Sequence, residues 1–470
     1  MIQLNMTFSE RRNRFRESLE HGEFTLLIES APPEAVVDPA SGAAQLAELE
    51  KTVLSVNGIN TALAIPDRGA AEGTWRGIEY AASLPEENRD RHLVYFSGVD
   101  TDPAAASALI GVAANAGIPN LVAVSGEVPA GISARDCRKR TFLESTAALR
   151  IMGEREGIFA GATVNPYEYT PYALFGQYFK LAKKFRRGAG FVVTQAGWDM
   201  LKLQSLQWYL AGREFCFPAI ARLILLSPDR AERISAGEWP GIRISDDFRK
   251  ILDKELCYSK AQFEAAQYRR IELQAAGCRL LGFSGVQISG AEFPVRARIV
   301  AERIAAAIAE YTSFEQWLDE YNSYMASAEM APFHTNFHLY DRILSRKYPV
   351  ENPPRMNDIP DEPPTAMERV AWRMRRLLFA GADLQDSGHA RFLKTLFAGC
   401  RGCDFCRLPR CEFICPELCP KGMTEGPCGG VRADGRCELS DNECIHSRIV
   451  KMARFRRHFA ALEEDVDPSR

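Results

Sequence analysis

Between residues 400 and 444 the chain sets nine cysteines: Cys400, Cys403, Cys406, Cys411, Cys415, Cys419, Cys428, Cys437 and Cys444. Their spacing is C-x2-C-x2-C-x4-C-x3-C-x3-C-x8-C-x8-C-x6-C. Thiolates are soft ligands that suit iron–sulfur clusters and zinc. The opening C-x2-C-x2-C is ferredoxin-like: three close thiolates hold one face of a cubane and a fourth ligand comes from elsewhere. Nine thiols exceed one tetrahedral site and suffice for two four-thiolate sites with one to spare. Spacing leaves open which cysteines share a site, and whether iron or structural zinc occupies it. His446 is a further zinc-ligand candidate whose bland reading is a surface histidine at a helix start. Prolines follow Cys415 and Cys419 and precede Cys428, stiffening the loops. Gly402, Gly426, Gly429 and Gly430 allow tight turns around a cluster.

These thiols need a scaffold, and most of the chain lies before them. From about residue 24 to 312, apolar runs alternate with longer helix-like stretches. The strand candidates are 24–30, 59–65, 92–98, 120–126, 157–164, 190–196, 219–227 and 278–285. They lack clean alternation, as parallel strands covered on both faces do. Residues 104–117 and 295–311 carry helical spacing of apolar residues. Eight βα units predict a (β/α)8 TIM barrel, with a doubly wound sheet as the alternative. The barrel is expected over 1–312, a helical connection and Pro-rich linker over 313–365, and a small cysteine-rich, helical and irregular metal-cluster domain over 366–470.

The bulk properties bound the function. The chain has 470 residues, 46% hydrophobic and 25% charged, enough for a large core. A net charge of −3 gives no argument for nucleic acid or an anionic membrane. The N-terminus is charged and amphipathic, without a signal-peptide apolar region, and Glu10, Glu17 and Glu20 argue against a transit peptide. No run of about 18 apolar residues predicts a membrane span. A cytoplasmic, reducing setting follows, where dense cysteines hold metal more often than disulfides.

The run CRGCDFCRL…CPKGMTEGPCGGVRADGRCEL…ECIHSR closely resembles the cysteine-rich C-terminal domain found with bacterial methylenetetrahydrofolate reductases, either fused or as the partner subunit of acetogens. The barrel region resembles the reductase itself through RFRESLEHGEFTLLIESAPP, AGIPNLVAVSGEVPAG, GATVNP, KKFRRGAGFVVTQAGWD and AERISAGEWPGIRISDDF. The two resemblances occur in the order such fusions use.

The resemblance implies roles. Glu29, ending the first strand, would supply the proton that opens the imidazolidine ring of methylenetetrahydrofolate; burial beside Ile28 would raise its pKa. Glu127, ending the fourth, would accept hydrogen bonds from the pterin, and Gln195, ending the sixth, would meet the pterin edge. Gly126 would let the backbone approach the cofactor. Asn165 and Lys184 would contact a flavin, Lys184 on its phosphate side; the alternative for Lys184 is a solvated helix charge in the run Lys183, Lys184, Arg186, Arg187. The second strand ends AIPD, the third lacks the family's histidine, with Tyr95 nearby, Pro228 stands where an aromatic is usual, and the eighth segment GFSGVQIS lacks an arginine. No glycine-rich dinucleotide fingerprint follows a strand.

The expectation is a flavin-dependent (FAD or FMN) reduction of 5,10-methylenetetrahydrofolate to 5-methyltetrahydrofolate, or the reverse. Electrons would arrive through one or two [4Fe-4S] clusters from a ferredoxin or heterodisulfide-reductase-like donor. The alternative is a scaffold that binds folate or a partner without catalysis, its thiols on zinc or iron–sulfur as a docking domain for electron-transfer or corrinoid proteins. Homo-oligomer formation stays open.

Overall fold

The computed structural model describes residues 12–33, 37–67, 75–128, 131–324, 337–345, 348–360, 362–379, 388–403 and 405–466. Eight strands, β1 (Thr25–Glu29), β2 (Asn60–Ile65), β3 (Leu93–Ser97), β4 (Asn120–Val124), β5 (Phe159–Val164), β6 (Phe191–Thr194), β7 (Ala219–Ile224) and β8 (Gly285–Ser289), close into a barrel in sequence order. Every pairing is parallel, and β1 closes on β8 with Leu27 opposite Gln287. The TIM barrel expected from eight apolar runs is therefore the fold, and the doubly wound sheet is not.

Helices alternate with the strands: α1 (Arg14–Glu20), α2 (Pro39–Leu54), α3 (Gly77–Ala81), α4 (Pro103–Asn115), α5 (Ala134–Cys137), α6 (Ser145–Gly153), α7 (Pro171–Arg186), α8 (Met200–Gly212), α9 (Pro228–Ser235), α10 (Asp246–Tyr258), α11 (Lys260–Leu280) and α12 (Pro294–Glu310). After the barrel come α13 (Phe314–Tyr324), α14 (Ala366–Phe379), α15 (Gly388–Ala398) and α16 (Ile445–Phe455). Side-chain caps set several starts: Asp102, Ser227 and Ser245 each accept a hydrogen bond from a first-turn N–H, and proline opens α2, α4, α7, α9 and α12. The Pro- and Asp-rich stretch 351–365 has no regular structure among its described residues.

One strand expectation is corrected. Residues 278–280 finish α11 rather than opening the eighth strand, which begins at Gly285. The run CRLL closes a helix whose residues 270–278 are buried all round, and a run that short carries no period to tell helix from strand.

Two cores follow from the barrel. Inside lie Leu27, Ala62, Tyr95, Val122, Phe191 and Ile220, closed at the N-terminal end by Phe15 and Leu19 of α1. Phe15 meets Phe191 edge-on at 5.4 Å between ring centroids. The larger core fills the layer between strands and helices and also takes in Val450 of α16. The chain after the barrel thus packs onto it.

Candidate functional site

Inward-pointing residues at the C-terminal ends of β1, β3, β7 and β8 meet in one hydrogen-bonded ring. Glu29 Oε2 accepts from Arg222 Nε at 2.9 Å, Gln287 Nε2 at 2.7 Å and Ser289 Oγ at 2.6 Å; its Oε1 accepts from Arg222 Nη2 at 2.9 Å. Tyr95 Oη donates to Gln287 Oε1 at 2.6 Å, and Arg222 Nη1 reaches Gln195 Oε1 at 3.4 Å. TIM-barrel active sites lie at this end.

The ring corrects the expectation of a raised Glu29 pKa. Burial does push it upward, but the Arg222 charge and the hydrogen bonds from Ser289, Arg222 and Gln287 outweigh it and hold Glu29 below its ordinary value. Glu29 is an anion here.

Glu127 has the opposite balance. Protein atoms surround it and raise its pKa despite the positive charges of Arg222 and Lys421, with Glu438 and Glu29 adding to the rise. Its side chain is exposed, and water moderates that rise. Before it, Gly126 has φ +90°, and a Cβ there would stand 2.5 Å from Ser97 Oγ and 2.7 Å from Val99 Cβ, so only glycine fits.

The cysteine-rich segment reaches this rim. Gly429 O accepts from Asn165 Nδ2 at 2.7 Å, and Arg243 donates to Val431 O. Lys180 Nζ donates to Gly426 O at 3.1 Å and Pro427 O at 3.3 Å, and pairs with Glu144 at 2.7 Å. Glu144 in turn accepts from Thr424 N and Oγ1, both at 3.0 Å, and from Glu425 N at 3.1 Å. Lys183 pairs with Glu425 at 3.1 Å. The stretch TEGPCGGV is thus seated on α6, α7 and the β5 rim. Nearer the mouth, Lys421 pairs with Glu438 at 2.5 Å, and the Cys428 thiol donates to Glu438 at 3.3 Å. Gly430 is needed there, since a Cβ would stand 2.2 Å from Glu438 Oε2.

Two of the expected cofactor contacts are engaged elsewhere. Asn165 is bound to Gly429. Lys184 is buried and donates to Thr163 O at 2.6 Å, so neither a flavin phosphate nor solvent meets it. Burial lowers its pKa to about 7, helped by the Lys180 charge. Of the run of cations it belongs to, Lys183 and Lys184 are buried while Arg186 is exposed, and the cysteine-rich segment covers Lys183.

The thiols fall into two neighbourhoods. Cys403 feels the charge of Cys400 and Cys406, and Cys415 that of Cys403 and Cys400, with Cys411 beside Cys415. Cys419 neighbours Cys437, while Cys428 and Cys444 both neighbour Cys419. Burial pushes the Cys415 and Cys419 thiols up to about 11, so they ionise only beside a cation. Backbone N–H groups of Lys421 and Met423 point at Cys419, and those of His446 and Ser447 at Cys444. All nine are free cysteines, and among the described residues no three metal-ligating side chains stand within one ion's coordination sphere. His446 donates to, or accepts through, no thiol; its Nε2 lies 3.1 Å from Met423 O, in a buried position that corrects the surface reading.

A cleft of about 460 Å³ lies away from the ring, between the start of α7 and residues 337–362, lined by Tyr169, Thr170, His338, Arg342 and Asn357 among others. Its walls include none of the Glu29 partners.

Sequence reasoning missed Arg222, Gln287, Ser289 and Glu144. Arg222 inside AIARLILLS and Gln287 inside GVQIS are polar residues interrupting buried parallel strands, a signal for a barrel-interior network. Glu144 carries no such signal, because Lys180 lies 36 residues away and its other partners, Thr424 and Glu425, about 280.

Among the described residues no helix is long and apolar enough to cross a membrane. No curated protein matches the sequence. Among solved structures, the fold is similar to an uncharacterized protein from Clostridium thermocellum that binds two copies of 5-methyl-5,6,7,8-tetrahydrofolic acid; it is 12% identical, with 62% of this chain and 99% of that one covered and a TM-score of 0.42. Residues 379–470, which hold all nine clustered thiols and the loop seated on the barrel, match the family described as Methylene-tetrahydrofolate reductase C terminal.

Proposed function

We propose that the chain interconverts 5,10-methylenetetrahydrofolate and 5-methyltetrahydrofolate at the barrel mouth, with reducing equivalents carried by iron–sulfur clusters on the thiols of residues 400–444. The observation that carries this reading is the seating of the loop 424–431, within the family-matched segment, on the rim that also presents Glu29 and Glu127. The two thiol neighbourhoods suit clusters by donor chemistry: soft sulfurs, backbone N–H groups aimed at them, and burial. When bound, clusters supply one-electron transfers.

The side chains assign the remaining work. Methylene reduction consumes two electrons and two protons, one of them on the ring nitrogen that leaves as the imidazolidine opens. Glu127 is the carboxyl at the mouth whose pKa its surroundings raise, and it is open to an incoming ligand, so it is the proton donor in this reading. Glu29, held as an anion by Arg222, is instead an acceptor for N–H groups of a bound pterin. Gln195 offers an amide to the same edge. The flavin of the family is not fitted by the residues expected to hold it, since Asn165 is bound to Gly429 O and Lys184 to Thr163 O.

A second reading, a folate- or partner-binding scaffold, is favoured by those same two engaged residues. One experiment separates them. Anaerobic, iron- and sulfide-replete protein is assayed for methyltetrahydrofolate oxidation with a viologen acceptor, with and without added FAD or FMN. Turnover is expected; folate binding without turnover in either preparation supports the scaffold and overturns the enzyme.

A further inference from the structure

Nine of the large apolar side chains exposed on the described surface fall between residues 367 and 405: Met367, Val370, Met374, Leu377 and Leu378 on α14, Phe392, Leu393 and Leu396 on α15, and Phe405. Those of α14 occupy an arc of about 100° when plotted at 100° per residue, and Trp372 and Phe379 face inward on the opposite side. Leu377 is 86% exposed, Met367 81% and Phe392 67%. An apolar face of this density marks an interaction site.

The face has a charge and a neighbour. Among the described residues of 366–407 the exposed ionic side chains are Arg369, Arg373, Arg376, Arg391 and Arg401, all cations, while the acid Glu368 is partly buried and paired with Arg448 at 3.5 Å. The helices are tied together where Arg375 Nε donates to Phe397 O at 2.7 Å. Arg391 packs directly on Gly402, between Cys400 and Cys403, and Cys400 N donates to Lys394 O at 3.2 Å. Phe405 lies between Cys403 and Cys406, which with Cys400 are only partly buried, while Cys411 and Cys415 of the same neighbourhood are buried. An apolar, cationic face therefore runs up to the three partly accessible thiols of this neighbourhood.

We propose that the α14–α15 face is the docking surface for a small acidic electron-carrier protein that exchanges electrons with a cluster on Cys400, Cys403 and Cys406. This rests on the reading above that these thiols hold iron–sulfur. Charge complementarity selects the occupant: a cationic rim steers an acidic carrier, and the exposed apolar side chains give a short-lived contact its grip. Weak electron-transfer encounters bury little area, as two helices would provide. A second copy pairing this face with itself would set cation against cation, and a membrane surface would leave the adjoining thiols without a role.

The test uses the full chain, reconstituted anaerobically, and a purified acidic ferredoxin as probe. Binding is followed by calorimetry and cluster reduction by stopped-flow absorbance, once with reduced ferredoxin and once with dithionite. The proposal expects Leu377→Asp with Phe392→Asp, and separately Arg373→Glu with Arg376→Glu, to weaken ferredoxin binding and slow ferredoxin-driven reduction about 10-fold or more. Raising NaCl from about 50 to 500 mM should do the same to the wild type. Reduction by dithionite should be unchanged in every variant, which also reports that the clusters and fold are intact. Wild-type ferredoxin affinity in both variants overturns the proposal. So does a dimer in sedimentation that Leu377→Asp disperses, or binding to phosphatidylserine vesicles with none to ferredoxin. If dithionite bleaches nothing because the thiols hold zinc, the functional reading fails, and the binding measurement still decides whether the face captures an acidic carrier.

Discussion

Glu29 and Glu127 stand on one rim, and their surroundings push their pKa values in opposite directions. Arg222, with the hydrogen bonds of Gln287 and Ser289, holds Glu29 below its ordinary value; at Glu127 desolvation outweighs the cations nearby. The first prediction concerns stability. Glu29→Gln leaves the Arg222 guanidinium in the barrel without a counter-charge, and the pair is mostly shielded, so the loss should be on the order of 2–3 kcal/mol. The sign with pH follows from the lowered pKa: the contribution of Glu29 is present above the ordinary carboxylate value and is lost as pH falls through the lowered folded value. Urea melts of wild type and variant should therefore differ at pH 7 and converge in acid; a gap that widens in acid would contradict the ring. The second prediction concerns chemistry. Glu127→Gln should keep methyltetrahydrofolate binding within a few-fold and lower viologen-coupled turnover about 100-fold or more, the scale of a lost general acid. Equal losses in Glu29→Gln and Glu127→Gln of binding alone would return both residues to a binding role.

At the scale of elements, α7 decides how the two halves of the chain meet. Its residues 171–185 are buried all round, which for a barrel helix requires a second layer outside it. That layer is α16 and the loop 424–431, and Lys180 and Lys183 of α7 end on the loop's carbonyls and the Glu425 carboxylate. Glu144 is the pivot: Lys180 and the Thr424 and Glu425 donors hold its pKa at about 2 against burial, so its contribution to stability is complete above about 4.5 and lost as pH falls through about 2. Glu144→Gln should cost about 3–5 kcal/mol at neutral pH, as breaking a buried pair does, and hydrogen exchange should rise first in residues 424–431. Exchange unchanged there would mean the loop is held by other contacts. Seven of the eight strands were legible because parallel strands are continuous apolar runs; the eighth was set too early, on the end of α11. The thiol segment was legible from spacing. The α7 cations were not, because a lysine solvated on a bare helix and one buried under a distant loop have the same local sequence. Arg222 was legible in principle, as a charge inside a buried strand, but its partner Glu29 lies 193 positions away. Glu29 was found for its place, and its ionisation state followed only once Arg222 was opposite it.

For the whole molecule, the cysteine-rich segment is part of the barrel's wall. Phe459 packs edge-on against Phe175 at 5.0 Å and Phe179 at 4.8 Å between centroids. Arg187 pairs with Asp465 at 3.1 Å and Arg213 with Glu463 at 2.5 Å, while Arg454 Nη2 donates to Ile359 O at 3.0 Å. Val450 belongs to the barrel's own helix-layer core. A separate domain on a linker would melt by itself, but here loosening the segment exposes Phe175, Phe179 and three buried lysines of α7. Thermal unfolding of the metal-replete chain is therefore expected to give one calorimetric transition, monitored equally by barrel and segment probes. Ligand removal acts on that transition by mass action, because metal binds only where the thiols are assembled. Stripping metal with a chelator under reducing conditions should lower the midpoint of the barrel itself. It should also raise protease cutting within α7, which lies far in sequence from any of the nine thiols. Two resolved transitions, with only the second moved by chelation, would show the barrel to be independent of the segment it carries, and the coupling argued from α7 would fall with it.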